Sequence, residues 1–349
     1  MKRLLPLVLL AACGPGGSSA HDAAIDGHDN PGEDSGRPDA PQTDCAYTEE
    51  SDATNDTTEG GTAEQSGLTL SGPTKVCGTF NSTHFDGDIT VDVDAYRFTT
   101  ATDMDLVVRL VADAQPVEYA GIDIYSGATF NKTEVSITWY GGHGVGTVHL
   151  AAGTYELTPF ALSSAAIAAD IPYSMKIETF DPATLCPTLT TGGYSEATDG
   201  ANNTGNDVYS IPSGSPIVAT ANANDAPEMS NITLTTAPGR ITGSAADVTM
   251  ADQYEDRDTY TFATGPGINE LTVRADWTAA ADVDFIVFDP ADTSTPITPI
   301  VRSIKTSNTA PELRTFAVKS NTTYRLLVAA AVGGTFPVAY TATLCGASF

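Results

Sequence analysis

Asp92-Val-Asp94-Ala-Tyr96-Arg-Phe98 and Asp256-Arg-Asp258-Thr-Tyr260-Thr-Phe262 are one pattern written twice, D-x-D-x-Y-x-F. Working outward, the flanking blocks repeat in the same order. Asn55-Asp56, Leu68-Thr-Leu70 and Val76-Cys-Gly78 precede the first copy; Asn224-Asp225, Ile232-Thr-Leu234 and Ile241-Thr-Gly243 precede the second. After it, Asp105-Leu-Val-Val-Arg109 matches Glu270-Leu-Thr-Val-Arg274, and Gly153-Thr-Tyr155-Glu-Leu157 matches Thr322-Thr-Tyr324-Arg-Leu326. Tyr173-Ser-Met-Lys-Ile177 matches Tyr340-Thr-Ala-Thr-Leu344. Ordered matches at similar spacing indicate duplication. The stretch from Cys186 to Ala223 has no evident counterpart in the first copy and reads as a junction with an extra strand or hairpin.

Nearly every block alternates apolar and polar residues over four to eight positions, is rich in Val, Ile, Thr and Tyr, and is bounded by Gly, Asn, Asp or Pro. That is strand periodicity. Only Ser163 to Ala169 is Ala-rich enough for a helical turn, with a loop as the alternative. Many short strands predict an all-β chain of two tandem jelly-roll-like β-sandwich domains, residues 45–182 and 183–349.

The N-terminus reads differently. Lys2-Arg3 precede a short apolar run, Leu4 to Leu10, too short to cross a bilayer. Leu10-Ala11-Ala12-Cys13 resembles the lipobox of bacterial lipoproteins. The resemblance implies removal of residues 1–12, lipidation of Cys13 and anchoring in the cell envelope, with Gly14 after the cysteine favouring the outer membrane. Residues 14–44 carry seven acids and one Arg among Gly, Pro, Ser and Ala. This composition cannot bury enough to fold, so 13–44 is expected to be a disordered acidic tether with a reach of roughly 30 Å. His21 and His28 fall within it.

The chain has 44 acids against 16 Lys and Arg, a formal charge of −28. A polyanion of that size repels nucleic acid. Cys45, Cys77, Cys186 and Cys345 remain after Cys13; an even number in an exported chain implies disulfides, and three pairings are open. Cys45–Cys77 with Cys186–Cys345 keeps each bridge inside one repeat.

The repeated blocks resemble the bacterial pre-peptidase C-terminal domain, a jelly-roll-like β-sandwich. Its hallmarks are an early Asn-Asp, an Ile-x-Gly strand, D-x-D-x-[YW]-x-F, a later D-x-D strand and late Tyr-rich strands, here over roughly 45–180 and 224–345. The later D-x-D stands as Asp282-Val-Asp284 in the second copy and is reduced to Gly121-Ile-Asp123 in the first. Such domains usually follow a secreted peptidase; here the pair follows a tether. Related collagen-binding modules hold calcium through an early E-x-N-D segment and nearby acids. The resemblance implies Asn55, Asp56, Asn224 and Asp225 as ligands, although Ala53 and Asn222 replace the preceding Glu.

In a strand, Asp92, Asp94, Tyr96 and Phe98 project from one face. With Tyr96 and Phe98 in the core, the carboxylates are expected at its rim, because a buried unpaired carboxylate is costly. Loop amides and hydroxyls satisfy them there, or Ca²⁺ does, with Asp92, Asp94, Asp256 and Asp258 as candidate ligands. Trp139-Tyr140 abuts Gly141-Gly-His-Gly-Val-Gly146 and offers a candidate stacking surface for a ligand, with core packing of Trp139 as the alternative. The glycine run sits between strands and reads as a hairpin loop, since a phosphate loop leads into a helix. G-x-S-x-G, H-E-x-x-H and a Walker loop are missing, and His84, His143 and His149 have no nucleophile near them in sequence. The expected function is non-catalytic: a lipid-anchored surface protein that binds polysaccharide or protein. An accessory subunit of an outer-membrane complex is the alternative, with a cryptic hydrolase third.

Overall fold

The alternating blocks become strands in the computed structural model, which describes residues 44–49, 63–80, 85–86, 89–112, 119–126, 132–133, 137–163, 170–196, 209–210, 220–221, 227–245, 254–292, 299–303, 310–331 and 334–349. Cys13, Asn55, Asp56, Asn224, Asp225 and residues 164–169 lie outside them. Four main sheets form, with one two-stranded ribbon, Tyr209–Ser210 against Thr220–Ala221. The first sheet runs Tyr47–Thr48, Thr74–Phe80, Ile171–Thr179, Met104–Ala112, His143–Leu150, Thr138–Tyr140. The third runs Tyr194–Ser195, Gly239–Ala245, Val338–Ala347, Glu270–Trp277, Glu312–Ala317, the same order of equivalent blocks. The second and fourth sheets correspond likewise: Glu64–Leu70, Tyr96–Thr100, Gly153–Ser163 and Tyr119–Ser126 in one, Glu228–Leu234, Tyr254–Thr264, Thr323–Ala331 and Val283–Phe288 in the other.

Each pair of sheets encloses a core. Val76, Phe80, Leu106, Val108, Leu110 and Met175 from the first sheet meet Leu70, Phe98, Ile122, Ile124 and Leu157 from the second. Leu271, Val273, Phe316 and Leu344 meet Phe262, Phe285, Val287 and Leu326 in the other pair. Strand alternation sends the intervening side chains to the opposite face. On Met104–Ala112 those are Val107, Arg109 and Val111.

The all-β expectation holds, but two tandem jelly-roll sandwiches do not describe the chain. The outer face of the first sheet is only partly a solvent face. Part of it meets the outer face of the third sheet, where Val107, Val145 and Ala317 form a small buried cluster. Thr315 N–H donates to Thr147 Oγ1, and Thr138 Oγ1 bonds both the N–H and the carbonyl of Ala317. The sheets therefore share contacts within one compact unit from Ala40 to Phe349 rather than forming two separate sandwiches. Periodicity reports that a strand face is buried; it does not report which sheet covers it. That is why the sequence favoured separate sandwiches.

Local chemistry explains the repeated details. Glu64–Leu70 and Glu228–Leu234 pair in parallel with the strands of D-x-D-x-Y-x-F, each with a bulge. Ser66 and Ser230 bridge that bulge, donating to Arg97 O and Thr261 O at 2.6 Å. The next residue has positive φ in both, Gly67 at 67° and Asn231 at 54°, a region in which Gly and Asn are the favoured residues. The glycine run turns through Gly141 and Gly142, both at positive φ, and returns His143 opposite Tyr140. It is a two-residue hairpin.

Candidate functional site

The repeated acids are not at a rim. Asp94 and Asp258 are fully buried. Tyr173 Oη donates to Asp94 Oδ2 at 2.5 Å, and its oxygen lies 2.5 Å from Tyr96 Oη. The second copy repeats the knot: Tyr340 Oη donates to Asp258 Oδ2 at 2.5 Å and lies 2.6 Å from Tyr260 Oη. A buried carboxylate is thus satisfied by a tyrosine from the facing sheet, which the rim argument did not consider. The glycine of each I/V-x-Gly strand lies against the same phenols. A Cβ on Gly78 would stand 2.5 Å from Tyr173 Oη and 2.6 Å from Tyr96 Oη, and one on Gly243 would be as crowded by Tyr340 and Tyr260.

A further repeat completes the knot, in the stretch that read as having no counterpart. Tyr47-Thr48-Glu49 and Tyr194-Ser195-Glu196 pair in parallel with Val76-Cys77 and Ile241-Thr242. Each tyrosine packs edge-on against the motif tyrosine, Tyr47 on Tyr96 at 5.9 Å and Tyr194 on Tyr260 at 6.2 Å. Each glutamate caps a backbone N–H, Glu49 that of Thr79 at 2.9 Å and Glu196 that of Ser244 at 2.8 Å. The shared Y-[ST]-E string was the available signal.

Burial, then Asp256 and Glu196, push the Asp258 carboxyl well above the usual carboxylate range, and it donates to Glu196. Burial also raises Glu196. The phenols of Tyr173, Tyr260 and Tyr340 are raised first by burial and then by the adjacent acids, so they stay protonated. Asp258 therefore belongs to a proton-holding network with Glu196 and Tyr340. For Asp92 only the strand position is described, opposite Ala161.

Among the described residues, three acids bring ligand atoms within 4.8 Å of one another: Asp282, Asp284 and Glu312. Asp284 and Glu312 are buried, and Ser303 Oγ donates to Glu312. Burial raises Asp282, whose Oδ1 is buried without a hydrogen bond. Carboxylate oxygens converging in this way suit a hard cation such as Ca²⁺. The later D-x-D marked two of them; Glu312 joins from the edge of the third sheet.

Trp139 is 8% exposed and packs in the core of the first pair, so it offers no open ring face for stacking. Gly144 permits this, since a Cβ there would reach Trp139 at 3.0 Å. Tyr140 is half-buried, with Lys319 Nζ 5.1 Å from its ring centre. Trp277 is buried, its indole N–H bonded to Ala281 O at 2.8 Å.

The cysteines pair as Cys45–Cys77 and Cys186–Cys345. Where the first and third sheets meet, Arg109 grips Glu270 through two bonds of 2.8 and 2.6 Å and reaches Glu178 at 2.7 Å. Burial alone would lower the Arg109 pKa, but Glu270 and Glu178 more than offset it. His143 is buried beside this clamp, Nε2 3.9 Å from Glu270, with the Phe349 ring stacked on it at 4.4 Å. Burial lowers its pKa, and Glu270 offsets this in part. His149 pairs with Asp105 at 3.0 Å on an exposed edge.

No protein-family model and no curated protein matches the chain. Among solved structures, the pre-peptidase C-terminal domain of a Bacillus anthracis collagenase is 14% identical, covering 34% of this chain and 97% of its own, at a TM-score of 0.25. A periplasmic inhibitor of g-type lysozyme from Aeromonas hydrophila is 16% identical over 35% of this chain and 100% of its own, at 0.24. Tandem carbohydrate-binding modules of a Streptococcus pneumoniae family 98 glycoside hydrolase are 9% identical over 77% and 88%, at 0.19. Likenesses of this size carry no argument about activity.

Proposed function

We propose that this chain is a non-catalytic binding protein of the bacterial cell envelope, held by lipid on Cys13 and presenting its layered β body to polysaccharide or protein outside the cell. The observation that carries the reading is the use of the repeated polar residues. Asp94, Asp258 and four tyrosines are bonded to one another inside the cores, which makes them framework for a rigid display surface. Two disulfides favour an oxidising compartment. Calcium, in this reading, is a stabiliser held by Asp282, Asp284 and Glu312, and millimolar Ca²⁺ raises the melting temperature.

The test is a glycan and matrix-protein array probed with the folded protein, with and without Ca²⁺, beside a palmitate-labelling assay of the wild-type chain and Cys13→Ser. Selective array binding and Cys13-dependent labelling support the reading. A blank array together with turnover of a peptide or glycan substrate would replace it with a hydrolase.

A further inference from the structure

One cleft stands apart in a chain where acids outnumber Lys and Arg by 44 to 16. On the outer face of the first sheet, Lys176 lies opposite Lys75 on one side and Arg109 on the other. Three cations thus form one cross-strand row, roughly 10 Å long at the ~4.8 Å spacing of neighbouring strands. Like charges placed directly opposite are destabilising, so the row needs anions. Glu270 and Glu178 engage Arg109. The two ammonium groups are more open. Lys75 bonds Asp44 at 2.6 Å, but the Asp44 side chain is 72% exposed, and such surface pairs exchange readily. Lys176 is half-exposed and touches Glu178 at 2.9 Å. Each ammonium has three donors, more than these contacts use.

The row floors a cavity of about 640 Å³, within the usual range for ligand sites. Its walls have distinct chemistry. On one side lie Asp44 and Cys45, pinned by the Cys45–Cys77 bridge; on the other is Phe349, which rests one ring face on His143 and is 53% exposed. Ser174 adds a hydroxyl. Adjacent ammonium groups beside a half-exposed aromatic ring, which His143 stacks on and Arg109 approaches to 5.9 Å, match a chain of sugars that carry carboxylates.

We propose that this cleft binds a carboxylated polysaccharide, with Lys75 and Lys176 on its carboxylates and the Phe349 ring against a sugar face. The proposal rests on the binding role above and names its site. A ligand carboxylate takes the place of Asp44 on Lys75, exchanging one anion for another without leaving a charge unpaired. The chain's net charge of −28 opposes approach at low salt. At physiological ionic strength charges beyond ~8 Å are screened, and exchange of Asp44 for a ligand carboxylate is a local event.

The experiment compares wild type with Lys75→Ala/Lys176→Ala on polygalacturonate, neutral dextran and single-stranded DNA at physiological ionic strength, with melting curves for both proteins. Expected are retention of the wild type on polygalacturonate alone and an affinity loss of about tenfold or more in the double variant, at an unchanged melting temperature. Phe349→Ala should lose about threefold. Equal retention of the double variant overturns the site. So does equal retention on dextran, which removes the charge argument, or on DNA, which makes the cleft a generic polyanion site. If the glycan array is positive and the double variant unaffected, the binding role stands and this cleft does not. A wild type that binds nothing on either surface removes both.

Discussion

The knots around Asp94 and Asp258 use the same atoms, and the second shows how its neighbours set the charge. Both join a carboxylate to two hydrogen-bonded phenols that close against a glycine. Around Asp258, Asp256 and Glu196 add negative charge, and the carboxyl keeps its proton far above the usual range. The same hydrogen-bond pattern recurs in both halves of the chain. The geometry demands a donor and an acceptor, and the charge state follows from the neighbours.

The shared part of the knot breaks hardest. Gly78→Ala and Gly243→Ala each force a methyl into two buried phenols, and overpacking of this kind costs about 1–3 kcal/mol. Chemical denaturation of both variants should give losses of similar size. A large loss at one site only would mean that the knots are not equivalent in packing.

The charge on the second knot is tested by pH. Asp258 has a raised folded-state pKa, so its contribution is most favourable below the unfolded value of about 3.9 and is lost as pH rises through the folded value. Asp258→Asn keeps an acceptor for Tyr340 and a donor for Glu196 while removing the titration. Melting temperatures at acid and alkaline pH should show the variant level with wild type at low pH and increasingly more stable as pH rises. An unchanged gap across the range would place the proton elsewhere.

The smallest effect lies at the edge bulges, where Gly67 and Asn231 hold the same backbone conformation. Asn231→Gly should alter stability by only a few tenths of a kcal/mol, whereas Gly67→Ala should cost about 1 kcal/mol, because a side chain without local hydrogen bonding is strained at positive φ. Equal and negligible effects would show that the edge strands relax around the bulge.

The strands were legible in the sequence because they depend on local rules. Period-two alternation placed the strands, and the ordered blocks around Tyr96 and Tyr260 placed the same strand in each half. The glycine pair at 141–142 announced a hairpin. The stacking of the first sheet on the third was not legible. Arg109 and Glu270 are 161 positions apart, and nothing local in either block specifies the other as partner. The candidate acids were found by residue type but misplaced, since parity gives the face of a strand and not the depth of a residue along it. Tyr173 and Tyr340 stood in matched blocks, yet their bonds to Asp94 and Asp258 depend on sheets meeting face to face. Glu312 was invisible for the same reason.

The Cys45–Cys77 bridge has a mechanical consequence. Tyr47–Thr48 is a two-residue edge strand held in parallel to Thr74–Phe80, and a pull from the N-terminal side would ordinarily peel it away bond by bond. The bridge routes that load from Cys45 directly into Cys77, in a strand paired along seven residues with Ile171–Thr179 on its other side. Force then acts on a whole ladder at once. In reducing conditions the same pull meets only the edge strand, so the redox state of one bond sets how firmly the body withstands tension applied from its N-terminal side.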